Sequence, residues 1–178
     1  MTCPNQFNIR PAVASDRECV WLWRNDPIIR AYMFNTEEIP WAEHVAWFER
    51  TLSDKRKHML VFECEGKPTG FASVNELFHG MVAEWGFYKA PNAPVGIGRM
   101  LGATTLRYAF DVLSLHKIYA QVLTFNQRSM DLHVALGFVR EGVLKDQHFD
   151  GRAYHDVCCF GIRRDEWVGA LLNTGLQL

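Results

Sequence analysis

Three side chains in the middle of the 178-residue chain have the chemistry of proton transfer: Ser73, Glu84 and His133. Glu84 lies in the run Val82-Ala83-Glu84-Trp85-Gly86-Phe87. A carboxylate there can take a proton from an ammonium, directly or through a water; the alternative is a solvated strand carboxylate, and alternation along the run leaves its facing open. Ser73, on the preceding apolar run, can hydrogen-bond an amine or a water, or be an ordinary strand serine. His133 follows Asn126 by seven residues, so on a helix the two share a face with Ser129 or Met130. Its imidazole titrates near neutral pH and can protonate a leaving anion; the alternative is a partly exposed helix residue. Between Glu84 and His133 comes Gly96-Ile97-Gly98-Arg99. Glycines at a helix start let the unpaired N–H groups of its first turn approach phosphate oxygens, and Arg99 can add a charge. The glycines alone fit either an anion cradle or a tight strand-to-helix turn. A dinucleotide fingerprint is not met, because its third glycine falls at Leu101 and Gly102 comes one residue late.

These residues need elements to hold them. Phe7 to Arg10 reads as a first strand. A helix capped by Ser15-Asp16 runs to about Asn25, where Asp26-Pro27 breaks it. A short helical piece covers Ile28 to Met33. Pro40 fits a helix start, with Trp41, Val45, Trp47, Phe48 and Leu52 as an apolar stripe. Runs at 58–65, 71–77 and 82–89 have the short connections of an antiparallel meander. A helix opens at Gly96-Ile97-Gly98, then a strand spans Lys117 to Thr124 and a helix Asn126 to Leu136. A strand from Phe138 toward Leu144, a last strand from Tyr154 to Ile162 and a helix starting at Asp165-Glu166-Trp167 complete the chain. The expectation is one α+β domain over residues 1–178, layered as α/β/α around a mixed, mostly antiparallel sheet of about seven strands.

Composition narrows the function. The formal net charge of −1 gives no basic field for nucleic acid, and no apolar run approaches a membrane span. The first six residues lack the charged and apolar regions of a signal peptide, so a cytoplasmic location is expected. Five cysteines, Cys3, Cys19, Cys64, Cys158 and Cys159, are odd in number and have no CxxC spacing, so they read as thiols in a reducing compartment. Neither they nor the histidines have metal-site spacing, and no metal is expected. Trp21, Trp23, Phe34, Trp41, Trp47 and Phe48 cluster early, as core or as the wall of a pocket for a planar ligand.

The element order, the strand–Gly-Ile-Gly–helix unit, and Phe125-Asn126-Gln127-Arg128-Ser129 followed by Leu132-His133-Val134-Ala135-Leu136-Gly137-Phe138 resemble the GNAT superfamily of N-acetyltransferases. The resemblance covers nearly the whole chain. It implies acetyl-CoA as co-substrate, with pantetheine along the fourth strand at Phe87 and Tyr88. It implies the pyrophosphate on Val95, Gly96, Ile97, Gly98, Arg99 and Met100, and Asn126, Arg128 and Ser129 near the cofactor's far end. His133 stands where the superfamily has a Tyr general acid, and Ala93 where it often has Arg or Gln.

A finer resemblance lies in Trp23-Arg24-Asn25-Asp26-Pro27, Arg30, Met33-Phe34-Asn35, Ile39 and His44, and in Phe87-Tyr88-Lys89-Ala90-Pro91. These segments are similar to acetyltransferases of the pseudaminic acid pathway, which act on the 4-amino group of a UDP-linked amino-dideoxy sugar. Arg24, Arg30, Met33, Phe34, His44 and Trp47 are the acceptor-binding residues so implied, with Gln121 where that group carries Glu. Ribosomal-protein N-terminal and polyamine acetyltransferases share the Arg-Asn-Asp-Pro pattern, although a polyamine pocket should be acidic. A non-catalytic acyl-CoA sensor is the reading from another class. The sequence leaves the oligomeric state open, a homodimer being one option.

Overall fold

In the computed structural model, residues 7–77 and 81–167 are described. The sequence readings at Cys3 and beyond Trp167 lie outside them. The chain runs β1 (Phe7–Pro11), α1 (Arg17–Asn25), α2 (Pro27–Arg30), α3 (Trp41–Ser53), β2 (Lys57–Cys64), β3 (Lys67–Leu77), β4 (Val82–Lys89), α4 (Ile97–Arg107), β5 (Lys117–Leu123), α5 (Gln127–Ala135), β6 (Val139–Phe149) and β7 (Tyr154–Arg163). The strands form one sheet in the order β1-β2-β3-β4-β5-β7-β6. All neighbours are antiparallel except β4 and β5. The expected mixed, mostly antiparallel seven-stranded sheet is what forms. No helix of the described residues is long and apolar enough to cross a membrane.

Strand alternation splits the side chains between two faces. On one face Ala72, Val74, Ala83, Trp85, Ile118 and Ala120 pack beneath Leu101 and Leu106 of α4 and Leu136 after α5. On the other, Val20 of α1 and Phe48 of α3 pack on Met59, Val61 and Phe71. This second face also carries the register pairs Phe71–Tyr88, Ser73–Gly86 and Asn75–Glu84. Gly102 lets α4 and α5 approach closely, since a Cβ there would stand 2.5 Å from Leu136 Cδ1.

Two features of this frame create a site. First, β4 and β5 pair only over Val82–Glu84 and Lys117–Tyr119. Beyond Glu84 they part, and residues 85–89 of β4 have no strand on that side. Second, the segment after α2 is folded back on α1 by polar clamps. Asn25 accepts from Ile39 N and donates to Ile39 O, both at 2.9 Å, and Trp21 Nε1 donates to the same carbonyl at 2.7 Å. Pro27 at the first position of α2 and Asp26 accepting from Ile28 N set the sharp turn before it. Tyr32, Met33 and Phe34 are thereby fixed beside the gap.

Candidate active site

A cleft of about 790 Å³ occupies the place where β4 and β5 diverge. At one end is the start of α4. Gly96 has φ +86°, a left-handed conformation that costs little only for glycine, and it turns the chain into the helix. Gly98 faces the cleft, and a Cβ there would touch only Leu132 Cδ2, at 3.8 Å. Arg99 joins the rim, and Asn126, Arg128 and Ser129 face it from the start of α5. Asn126 also caps α5, its Oδ1 accepting from Ser129 N at 3.1 Å.

Phe87 and Tyr88 line the cleft from the part of β4 that has no partner on the β5 side. Phe87 packs under the sheet against Trp85 and His133, whereas the buried Tyr88 hydroxyl donates to Val20 O at 3.4 Å. Three expected cofactor side chains are elsewhere. Val95 is 99% exposed, Ile97 is buried in the core, and Met100 packs against that core. Ile97 anchors the helix in the core, and what the start of α4 presents to the cleft is Gly96, Gly98 and Arg99 rather than those side chains.

The other end has a polar floor and an apolar wall. Ser73 and Asn75 of β3, Glu84 of β4 and Gln121 of β5 make the floor. Ile28, Ile29, Tyr32, Met33, Phe34 and Phe71 make the wall. Glu84 therefore faces the cleft. Burial pushes its carboxyl above the ordinary glutamate value. Among the described residues lining the cleft, Glu84 is the one carboxylate, against Lys89, Arg99 and Arg128. Asn75 and Tyr32 are absent from the sequence reading. Asn75 could have been found there, because period two from Ser73 puts both on one face.

His133 requires a correction. It is 3% exposed, not a partly exposed helix residue. Its Nδ1–H donates to Ser129 O at 2.7 Å, and its Nε2 accepts from Trp85 Nε1–H at 3.2 Å. Rings of Trp85, Phe138 and Phe160 surround it. Burial lowers its pKa, so the ring stays neutral, with both nitrogens engaged. A neutral imidazole whose only lone pair is taken cannot serve as the general acid. Replacing His133 by Phe leaves the buried Trp85 indole N–H unpaired, so thermal melting should report a loss of about 1–3 kcal/mol. The pH dependence of turnover should be unchanged.

The expected acceptor residues divide. Met33 and Phe34 line the cleft. His44 does not: it is 2% exposed, its Nε2–H donates to Arg17 O at 2.8 Å, and Trp41, Trp47 and Phe48 enclose it. Trp47 borders a shallow hollow with Arg50 and Asp54 on the far side of α3. Both belong to the packing of α3. Arg24 and Arg30 do not line the cleft; Arg24 Nη2 donates to Asn35 O at 2.7 Å. Arg24 Nη1 and Arg30 Nε are enclosed and find no partner among the described residues.

A split parallel pair beside a glycine-opened helix suits an extended chain ending in phosphates, and relatives with this architecture are known. The acetyltransferase (GNAT) domain family matches residues 6–139, three quarters of the chain. The chain belongs to that family. It is an N-acetyltransferase, and the matched stretch contains every cleft residue discussed above. It is similar to the SPbeta prophage-derived N-acetyltransferase YokL of Bacillus subtilis, with 36% identity over 132 residues, covering 72% of each chain. It is similar to the acetyltransferase PseH of Campylobacter jejuni, with 30% identity over 117 residues, covering 65% of this chain and 72% of that one. Among solved structures, it superposes on the spermidine N-acetyltransferase of Vibrio cholerae in complex with CoA and spermine with a TM-score of 0.85. That match has 25% identity and covers 92% of this chain and 98% of that one.

Proposed function

We propose that the acetyltransferase transfers the acetyl group of acetyl-CoA directly to a primary amine in a ternary complex. We further propose that this amine is the 4-amino group of a UDP-linked 4-amino-4,6-dideoxy sugar. Acetyl-CoA supplies an activated acyl thioester, and the cradle fits it. The first-turn N–H groups of α4 and Arg99 hold the pyrophosphate, while the unpaired stretch 85–89 of β4 pairs with the pantetheine arm. N–H groups of that stretch polarise the thioester carbonyl. Glu84 removes the ammonium proton, burial raising its basicity for that task; the amine then forms the N–C bond as the C–S bond breaks, and the proton the nitrogen sheds on becoming an amide goes to the departing CoA thiolate.

The observation that carries the acceptor is the charge of the cleft. The single carboxylate among the described cleft residues answers a single ammonium, whereas a polyamine carries several. The apolar wall at Ile28, Ile29, Tyr32, Met33 and Phe34 suits a uracil ring and a 6-methyl group. The relation to PseH points the same way. The likeness to a spermidine acetyltransferase favours a second reading, a polyamine acceptor.

Thiol release with acetyl-CoA decides between them across three acceptors: a UDP-linked 4-amino sugar, spermidine and an N-terminal peptide. The sugar nucleotide should exceed spermidine in kcat/KM by about tenfold or more. A preference for spermidine establishes the polyamine reading, and no thiol release above background with any of the amines reduces the protein to an acyl-CoA sensor.

A further inference from the structure

Gln121 faces the cleft from β5, where that strand has parted from β4. Its side chain is not free to turn. Nε2 donates to the Tyr119 hydroxyl at 2.5 Å, two residues back on the same strand face. The phenol oxygen also stands 3.6 Å from Cys159 Sγ on β7, and Gln121 and Cys159 are register partners. Tyr119 lies opposite Glu84 in the short parallel ladder. One of its two amide N–H groups is held by Tyr119, which fixes the plane of the amide and leaves the carbonyl oxygen Oε1 as the acceptor that Gln121 can offer the cleft.

We infer that Gln121 Oε1 accepts a hydrogen bond from the acceptor amine, and that Tyr119 is the positioning residue that points this oxygen into the cleft. The stereochemistry of the reaction calls for such a group. Once Glu84 has taken one proton from the ammonium, the nitrogen keeps two N–H bonds and a lone pair. The lone pair faces the thioester carbonyl only if the N–H bonds are held elsewhere. Ser73 and Glu84 lie on the β3–β4 side of the gap, and Gln121 is the β5 side chain in the cleft with an acceptor among the described residues. A carboxylate in its place would add a second negative charge near Glu84; the amide offers the same oxygen without it. Burial holds the phenol near 12, so Tyr119 stays a neutral hydrogen-bonding partner through the working pH range.

The inference rests on the amine-acetylation reading, but not on the identity of the amine. The test uses whichever amine the wild-type enzyme acetylates fastest. Tyr119→Phe removes the hydroxyl with little change in shape, and Gln121→Met keeps the volume without an acceptor. Each should raise the amine KM about tenfold, the worth of one hydrogen bond in a site that excludes water, and leave the acetyl-CoA KM unchanged. The double variant should be no worse than Gln121→Met alone, because the hydroxyl acts only through the amide. Additive losses, an unchanged amine KM in Tyr119→Phe, or an equal rise in the acetyl-CoA KM overturns the inference. Wild-type enzyme that acetylates no amine overturns the transferase reading itself, and shows as thiol release at background with every acceptor.

Discussion

Glu84→Gln should lower kcat/KM for the amine by about a hundredfold to ten-thousandfold and leave acetyl-CoA affinity unchanged. The size of the effect follows from the charge of the cleft: no second carboxylate among its described residues is there to substitute. The glutamine keeps the shape and the hydrogen-bonding capacity of the side chain but cannot take a proton. The sign of the pH dependence is fixed as well. Glu84 works as a base only when ionised, so wild-type kcat/KM rises with pH as it deprotonates. Burial moves that rise above the ordinary glutamate value of 4.5. Glu84→Gln should lose this limb. A pH–rate profile with the same limb in both proteins would assign the base elsewhere.

Gly98→Val should weaken acetyl-CoA binding by about a hundredfold or more in calorimetric titration, with a normal fold. The two halves of this expectation come from one observation. A Cβ at Gly98 meets only Leu132 Cδ2, at 3.8 Å, so the protein tolerates it. The branched methyl groups then occupy the cleft side, where phosphate oxygens must reach the first-turn N–H groups. The propensity cost of valine in a helix is about 0.7 kcal/mol or less, too small to unfold the domain. Gly96 makes a less useful test. Its φ of +86° strains any other residue, so loss of binding there would mix backbone distortion with steric exclusion. Undiminished binding in folded Gly98→Val would remove the cradle from the account.

The parts of this design that were legible in sequence are the local ones. The strand before Gly96, the glycine opening of α4 and the period of α5 are read from neighbours a few residues apart, and each lies where expected. The parting of β4 from β5 was not legible. It depends on a register between segments more than thirty residues apart, and neither strand's own pattern records where pairing stops. His44 and Trp47 misled because an aromatic stripe at helical spacing serves a core and a pocket wall equally well; α3 turns that stripe onto α1 and β2. His133 misled differently. Its position on α5 is the expected one, but Trp85 and Ser129 use up both ring nitrogens. The bond to Trp85 joins residues 48 apart and leaves no trace in spacing. The Tyr119–Gln121 pair, by contrast, follows from period two on β5.

The central claim is that the acetyl group passes from thioester to amine within the cleft, with no acyl-enzyme between. A single-turnover reaction tests it: enzyme with equimolar acetyl-CoA, with and without the amine, followed by free thiol and by intact protein mass. Direct transfer predicts thiol release only when the amine is present, with acetylated amine appearing at the same rate and the protein mass unchanged throughout. A burst of thiol without amine, matched by an acetyl increment on the protein, for example on Cys159 beside the cleft floor, would contradict it.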